Sequence, residues 1–248
     1  MKVTVITACY NAADTIRATI ESVLAQDYRD IEYIIIDGES KDKTLSLVRE
    51  YSDKITRVIS EKDGGIYFAL NKGLHVANGE IIAFLHADDI FATKTVISDV
   101  VKKFQESHAN GVYGDLQYVD RQNTNHVVRN WKSGHYHPGM FLKGWMPPHP
   151  ALFLKRSCYE RHGIFNTTFR TAADYELMLR FIHLHKIKIA YIHEVLVKMR
   201  VGGVSNLTLA NRIKANREDK RAWLVNGLKP GMFTLVRKPL SKVVQYFR

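Results

Sequence analysis

Three short, largely apolar runs, at residues 3–8, 31–36 and 80–85, and a strand-like stretch at 56–60 alternate with segments whose apolar residues recur every three or four positions. Apolar runs of four to eight residues read as strands buried on both faces. The intervening 3.6-residue period reads as helices: 14–26, with Ile16, Ile20, Val23 and Leu24 on one face, then 43–51, 65–76 and 93–106. Strand and helix in strict alternation predict an α/β fold, a mostly parallel central sheet flanked by crossover helices. Beyond residue 110 the pattern loosens. Strands are predicted at 111–119, 151–154 and 187–192, and a helix at 172–185. Residues 131–150 have no period and are rich in Gly, Pro, His and aromatics. A long irregular segment inside a compact domain is usually functional or mobile.

Composition bounds the partners. An apolar content of 46% in 248 residues supplies a core for one large domain, or one with an appendage. The two cysteines, Cys9 and Cys158, form no CxxC pair, so neither a disulfide framework nor a zinc site is suggested and a reducing setting fits. No apolar run approaches the ~20 residues of a membrane span, and the chain begins directly on a strand-like run, so no leader is expected. Of the net charge of +11, most falls after residue 204, where ten Lys and Arg face only Glu218 and Asp219. Phe233, Val236, Leu240, Val243 and Phe247 recur there at steps of three and four, with Arg237, Lys238 and Lys242 between them, and Trp223 and Leu224 could extend the apolar side. A basic amphipathic pattern suits an anionic membrane surface. A core-packing helix with a solvated face is the plainer reading. Nucleic-acid binding is disfavoured, because no recognition motif accompanies the charge.

Polar clusters end each of the first four strands, and parallel strand ends converge on one cleft. Asp88 and Asp89 follow the run 81–85, where two adjacent carboxylates are costly unless something positive lies beside them, such as a divalent cation on a phosphorylated ligand. A helix cap or turn is the simpler alternative. Asp37 follows the second strand and could accept from a base N–H or a ribose hydroxyl, although Asp-Gly is also turn chemistry. Asp63, Gly64 and Gly65 allow close backbone approach, and Asn71 and Lys72 lie on the helix after them. Asp174 stands in the first turn of its helix, where an ionised carboxylate is favoured and could take a proton from a hydroxyl. It could equally be an ordinary first-turn residue. Among the eleven histidines, His183 and His185 diverge on a helix, and His135, His137 and His149 suit stacking or hydrogen bonding better than zinc. Neither GxxxxGK[ST] nor GxGxxG occurs.

Taken together, these segments resemble glycosyltransferase family 2, over roughly residues 1–205. Residues 3–11 (VTVITACYN) resemble its first strand and donor-binding turn, and 36–44 (IDGESKDKT) its uridine-binding segment. Residues 61–73 (EKDGGIYFALNKG) are similar to a stretch of a bacterial polysaccharide subgroup. Residues 84–89 (FLHADD) correspond to its DXD metal motif, 172–177 (AADYEL) to the segment bearing the catalytic base, and 201–205 (VGGVS) to a loop that closes the site. Two residues depart from the pattern: His86 replaces the first acid of DXD, and Glu39 a glycine.

The resemblance implies a GT-A fold over 1–204, with a nucleotide-sugar half (1–110), an acceptor half (111–204) and a basic helical tail (205–248). It implies an inverting transfer from a nucleotide sugar, most simply a UDP-hexose, with Mn2+ or Mg2+. Donor contacts would come from Thr7, Cys9, Tyr10, Asn11, Asp37, Glu39, Asp63, Asn71, Lys72, Ala87 and Asp88. Asp88, with Asp89, would hold the metal, and Asp174 would be the base. The implied acceptor is a saccharide on a polyprenyl diphosphate, in O-antigen or capsule synthesis at the inner face of the cell membrane, with a β-1,3-glucosyl linkage as the finest expectation. A non-catalytic nucleotide-sugar-binding or scaffold protein at the membrane is the alternative.

Overall fold

The computed structural model of the chain describes residues 1–202 and 209–231, with side chains described for 1–202 and 217–231. Its first half follows the alternation: β1 (Val3–Cys9), α1 (Ile16–Leu24), β2 (Ile31–Asp37), α2 (Thr44–Arg49), β3 (Arg57–Ser60), α3 (Ile66–Val76) and β4 (Ile81–Phe84). All three pairings among β3, β2, β1 and β4 are parallel. Ile6, Ile34, Ile36 and Phe84 face α3 and the later helices, while Val5, Ile35, Ile20 and Val100 form the core on the other face. Alternate residues of one strand thus feed two cores, as the pleat dictates. Gly73 of α3 lies so close to β1 that a Cβ would stand 2.5 Å from Ile6 Cγ2.

The second half is β5 (Asp89–Phe91), α4 (Val96–Ser107), β6 (Gly111–Val119), β7 (Val127–Trp131), β8 (Leu152–Lys155), α5 (Arg156–His162), α6 (Ala173–Met178), β9 (Ile189–Arg200) and α7 (Leu209–Val225). A wider helical turn, Leu179–Leu184, prolongs α6. The sheet runs β3-β2-β1-β4-β8-β6-β9-β5, with β7 added on β6. Here the pairing is mixed: β8 is antiparallel to β4 and β6, β9 is parallel to β6, and β5 is antiparallel to β9. The strand expected at 187–192 therefore continues to Arg200, through shifts of register against β6. Between β7 and β8 the chain makes only two short 3-10 turns, Met140–Lys143 and His149–Ala151.

The boundary expected at residue 204 is followed by a helix that packs on the body. Trp223 is fully buried and donates from Nε1 to the Tyr175 hydroxyl at 2.9 Å. The Glu218 carboxylate accepts the N–H groups of Arg170 and Thr171, so α7 caps the approach to α6. Trp223 therefore lies in the core rather than on a tail, and Leu224 is exposed. The repeat of Phe233, Val236, Leu240, Val243 and Phe247 lies outside the described residues. Among the described residues no helix is long and apolar enough to cross a membrane.

Candidate active site

The carboxyl ends of β1 and β2 make the first wall. Asp37 is wholly buried; Oδ1 accepts from the Ser40 hydroxyl at 2.5 Å, and Oδ2 from the Ser40 N–H at 3.1 Å and the Ser60 hydroxyl at 2.7 Å. Cys9 adds a thiol contact at 3.6 Å, and burial together with Asp37 pushes that thiol far above its ordinary range. The carboxylate thus organises the turn from within it. Asn11 ties the two strand ends together: its N–H donates to Ser40 Oγ and its Oδ1 accepts from the Lys41 N–H. Its φ of +48° is one that asparagine tolerates better than most residues. Glu39 adopts φ +64°, which explains a glycine there in the family pattern; its side chain is exposed and pairs with Lys41. Tyr10 is 63% exposed and borders Gly38 and Asp63. Thr7 instead turns into the body, its hydroxyl 3.2 Å from that of Tyr33.

The second wall is the start of α3. Asp63 Oδ1 accepts the Gly65 N–H at 2.8 Å, and Gly65 takes φ +121°. Lys72 pairs with Glu61 at 3.0 Å. Asn71 does something the sequence did not indicate. Its amide donates to the Phe165 carbonyl at 2.9 Å and accepts the Phe165 N–H at 3.0 Å, which fastens α3 to a segment far along the chain.

The acidic turn after β4 is held by its main chain. Arg200, at the end of β9, donates to the Asp88 carbonyl at 2.9 Å, and the Thr19 hydroxyl reaches the carbonyls of Ala87 and Asp89. Asp89 is completely enclosed, and neither carboxylate oxygen has a hydrogen-bond partner among the described residues. Burial, then the charge of Asp88, raises its pKa well above the usual carboxylate range, with Arg200 opposing. Asp88 is partly open. Among the described residues no three His, Cys, Asp or Glu side chains converge as a self-sufficient metal cage. One open carboxylate is nevertheless the donor set on which a cation carried by a diphosphate relies, since such ions take one or two protein carboxylates and fill the remainder with phosphate and water. The residues fit that kind of ion, with Asp88 rather than the enclosed Asp89 as the contact.

Asp174 stands in the first turn of α6, and its Oδ1 accepts the Tyr67 hydroxyl at 3.1 Å. Tyr67 is buried on α3, and burial together with Asp174 raises its pKa strongly. Two imidazoles border this corner: His86 belongs to the acidic turn, and His149 lies 5.9 Å from it between ring centroids and meets Phe165, which stacks on Tyr67. The negative charges of Asp88 and Asp174 both act on His86, and that of Asp174 also acts on His149. Burial lowers both rings, His149 to about 4. Tyr67 falls within residues 61–73, which resemble a family stretch, yet nothing in its spacing marks it. Arg200 carries no local signal either, whereas His149, expected to stack or hydrogen-bond, stacks on Phe84.

Comparison with known proteins bears on the family and the fold. The family model described as Glycosyl transferase family 2 matches residues 4–170. An uncharacterized glycosyltransferase of Rickettsia typhi is 28% identical over 208 residues, covering 80% of this chain; the match spans 64% of that relative's length. One from Mycobacterium tuberculosis is 32% identical over 180 residues, 72% of this chain and 68% of the relative. In fold, the chain resembles S. aureus TarS 1–349 in complex with UDP-GlcNAc (TM-score 0.71, 18% identity, 96% of this chain and 72% of that one). It also resembles the mannosyltransferase PcManGT of Pyrobaculum calidifontis in complex with GDP-Man and Mn2+ (TM-score 0.67, 22% identity, 96% and 68%).

Proposed function

Since the chain belongs to glycosyl transferase family 2, we propose that it moves a sugar from a nucleotide sugar to an acceptor hydroxyl with inversion at the anomeric carbon. The observation that carries this reading is the bond from the Tyr67 hydroxyl to Asp174 Oδ1 at 3.1 Å, which joins the start of α6 to α3, the second wall of the cleft. On this reading the diphosphate leaves at Asp88 and the proton acceptor is Asp174. Asp174 takes the proton of the acceptor hydroxyl as its oxygen bonds to the anomeric carbon. The bond from that carbon to the diphosphate oxygen breaks, and its electron pair leaves with the nucleotide. Tyr67 holds the Asp174 carboxylate during this step. A divalent cation, Mn2+ or Mg2+, bound with the donor at Asp88 would neutralise charge on the leaving diphosphate.

Nucleotide-sugar donors in the two solved neighbours support the donor class. A UDP-hexose is the donor we favour, with Tyr10, Asn11, Asp37 and Asp63 around the nucleotide. We assign the acceptor as a saccharide on a polyprenyl diphosphate, in surface polysaccharide synthesis, because the basic residues after 231 suit an anionic membrane face. A β-1,3-glucosyl transfer is the most specific form of this proposal. Asp174→Asn tests it. Binding of the nucleotide sugar should persist while transfer of labelled sugar to lipid-linked acceptors falls by about 10²–10⁴-fold, the usual worth of a general base. Full transfer by that variant would remove Asp174 from the mechanism.

A further inference from the structure

His149 is 7% exposed, yet neither ring nitrogen has a hydrogen-bond partner among the described residues. His86, 5.9 Å away between ring centroids, likewise leaves an enclosed Nδ1 unpartnered. The two His149 nitrogens and His86 Nε2 are not enclosed in this way, so they can meet a ligand or water, as polar atoms without a protein partner ordinarily do. The His149 ring is also held in place. His149 stacks on Phe84 at 5.6 Å and 23°, meets Phe165 edge-on, and lies between two prolines, Pro148 and Pro150. Such rigidity suits recognition, because little order is lost on binding.

Position and chemistry identify the occupant. In the transfer described above, the group between the leaving diphosphate and the base is the transferred sugar. A neutral imidazole offers one donor and one acceptor, which a hydroxyl matches in both senses. His149, pushed down to about 4 by burial, is neutral at neutral pH and offers no cation to a sugar carboxylate. We propose that His86 and His149 form the subsite for the transferred sugar and read the hydroxyls of a neutral hexose in preference to a uronate. This assignment rests on the nucleotide-sugar reading.

His149→Phe and His86→Phe keep the stacked rings and remove the nitrogens. The full chain with MnCl2 is titrated calorimetrically with UDP, UDP-glucose, UDP-galactose, UDP-N-acetylglucosamine and UDP-glucuronate. The parent protein should bind at least one neutral UDP-sugar more tightly than UDP, and UDP-glucuronate no more tightly than UDP. Either variant should lose about tenfold in affinity for the favoured UDP-sugar, the scale of one hydrogen bond or a little more, with UDP affinity unchanged. An undiminished preference in both variants, or UDP-glucuronate bound as tightly as the best neutral sugar, overturns the assignment and leaves the rings to structural water. Absence of UDP binding in the parent protein would instead overturn the donor reading itself. Should His149→Phe fail to fold, His86→Phe, at a partly exposed ring, decides by the same comparison.

Discussion

Replacing Asn71 by alanine distinguishes a donor-binding side chain from a structural one. The amide makes two hydrogen bonds to the main chain of Phe165, at 2.9 and 3.0 Å, and Asn71 is only 9% exposed, so water cannot easily replace it. Each main-chain group left unpaired costs about 1–3 kcal/mol, or roughly 2–6 kcal/mol for the pair. In a domain of this size each kcal/mol lowers the melting temperature by about 2–4 °C, so a fall of roughly 5–20 °C is expected. Phe165 packs against Phe84, Tyr67 and His149, so sugar transfer should decline as well. UDP affinity, measured well below the transition, should change little. Circular dichroism melting and calorimetric UDP titration of the same preparation provide the check. A melting temperature within a degree or two of the parent's, combined with a tenfold loss of UDP affinity, would refute the reasoning and return Asn71 to the nucleotide.

Two further outcomes follow from buried groups. Because burial holds His149 near 4 against an ordinary value of 6.5, the unfolded chain binds its proton first as pH falls. Its stabilising effect is therefore complete above about pH 6.5 and is lost towards pH 4, by at most ~3 kcal/mol. Urea unfolding at steps across that window should show a shallower slope in His149→Phe, and equal slopes would contradict the burial argument. Trp223→Ala should cost about 3–5 kcal/mol, since that ring is fully enclosed and bonded to Tyr175, whereas Leu224→Ala, at an exposed position, should stay within about 0.5 kcal/mol. Equal melting of the two variants would mean that α7 is not docked on α6.

The parallel half of the sheet was legible because burial on both faces leaves an uninterrupted apolar run, and each of β1, β2 and β4 has one. β5 and β7 were not. β5 has three residues and opens on an aspartate, while β7 exposes Val127 and Val128 and follows no alternation. α5 (RSCYERH) has too few apolar residues to show a period. Within the site, Asp88 and Asp174 stood out as carboxylates at element ends. Tyr67, His149 and Arg200 did not, because what distinguishes them is contact across the chain, and local pattern carries no information about distant partners. Asn71 is the instructive case. A polar residue in a donor-like segment looks the same whether it faces a nucleotide or a distant main chain.

The acidic turn keeps its path through bonds to its carbonyls, from Arg200 and Thr19, and through the Asp89 N–H on the His86 carbonyl. None of these bonds involves the side chains of His86, Ala87 or Asp88. Backbone course and chemical identity are therefore uncoupled over these three positions. Evolution, or a designer, can exchange the three side chains at this turn without rebuilding the loop.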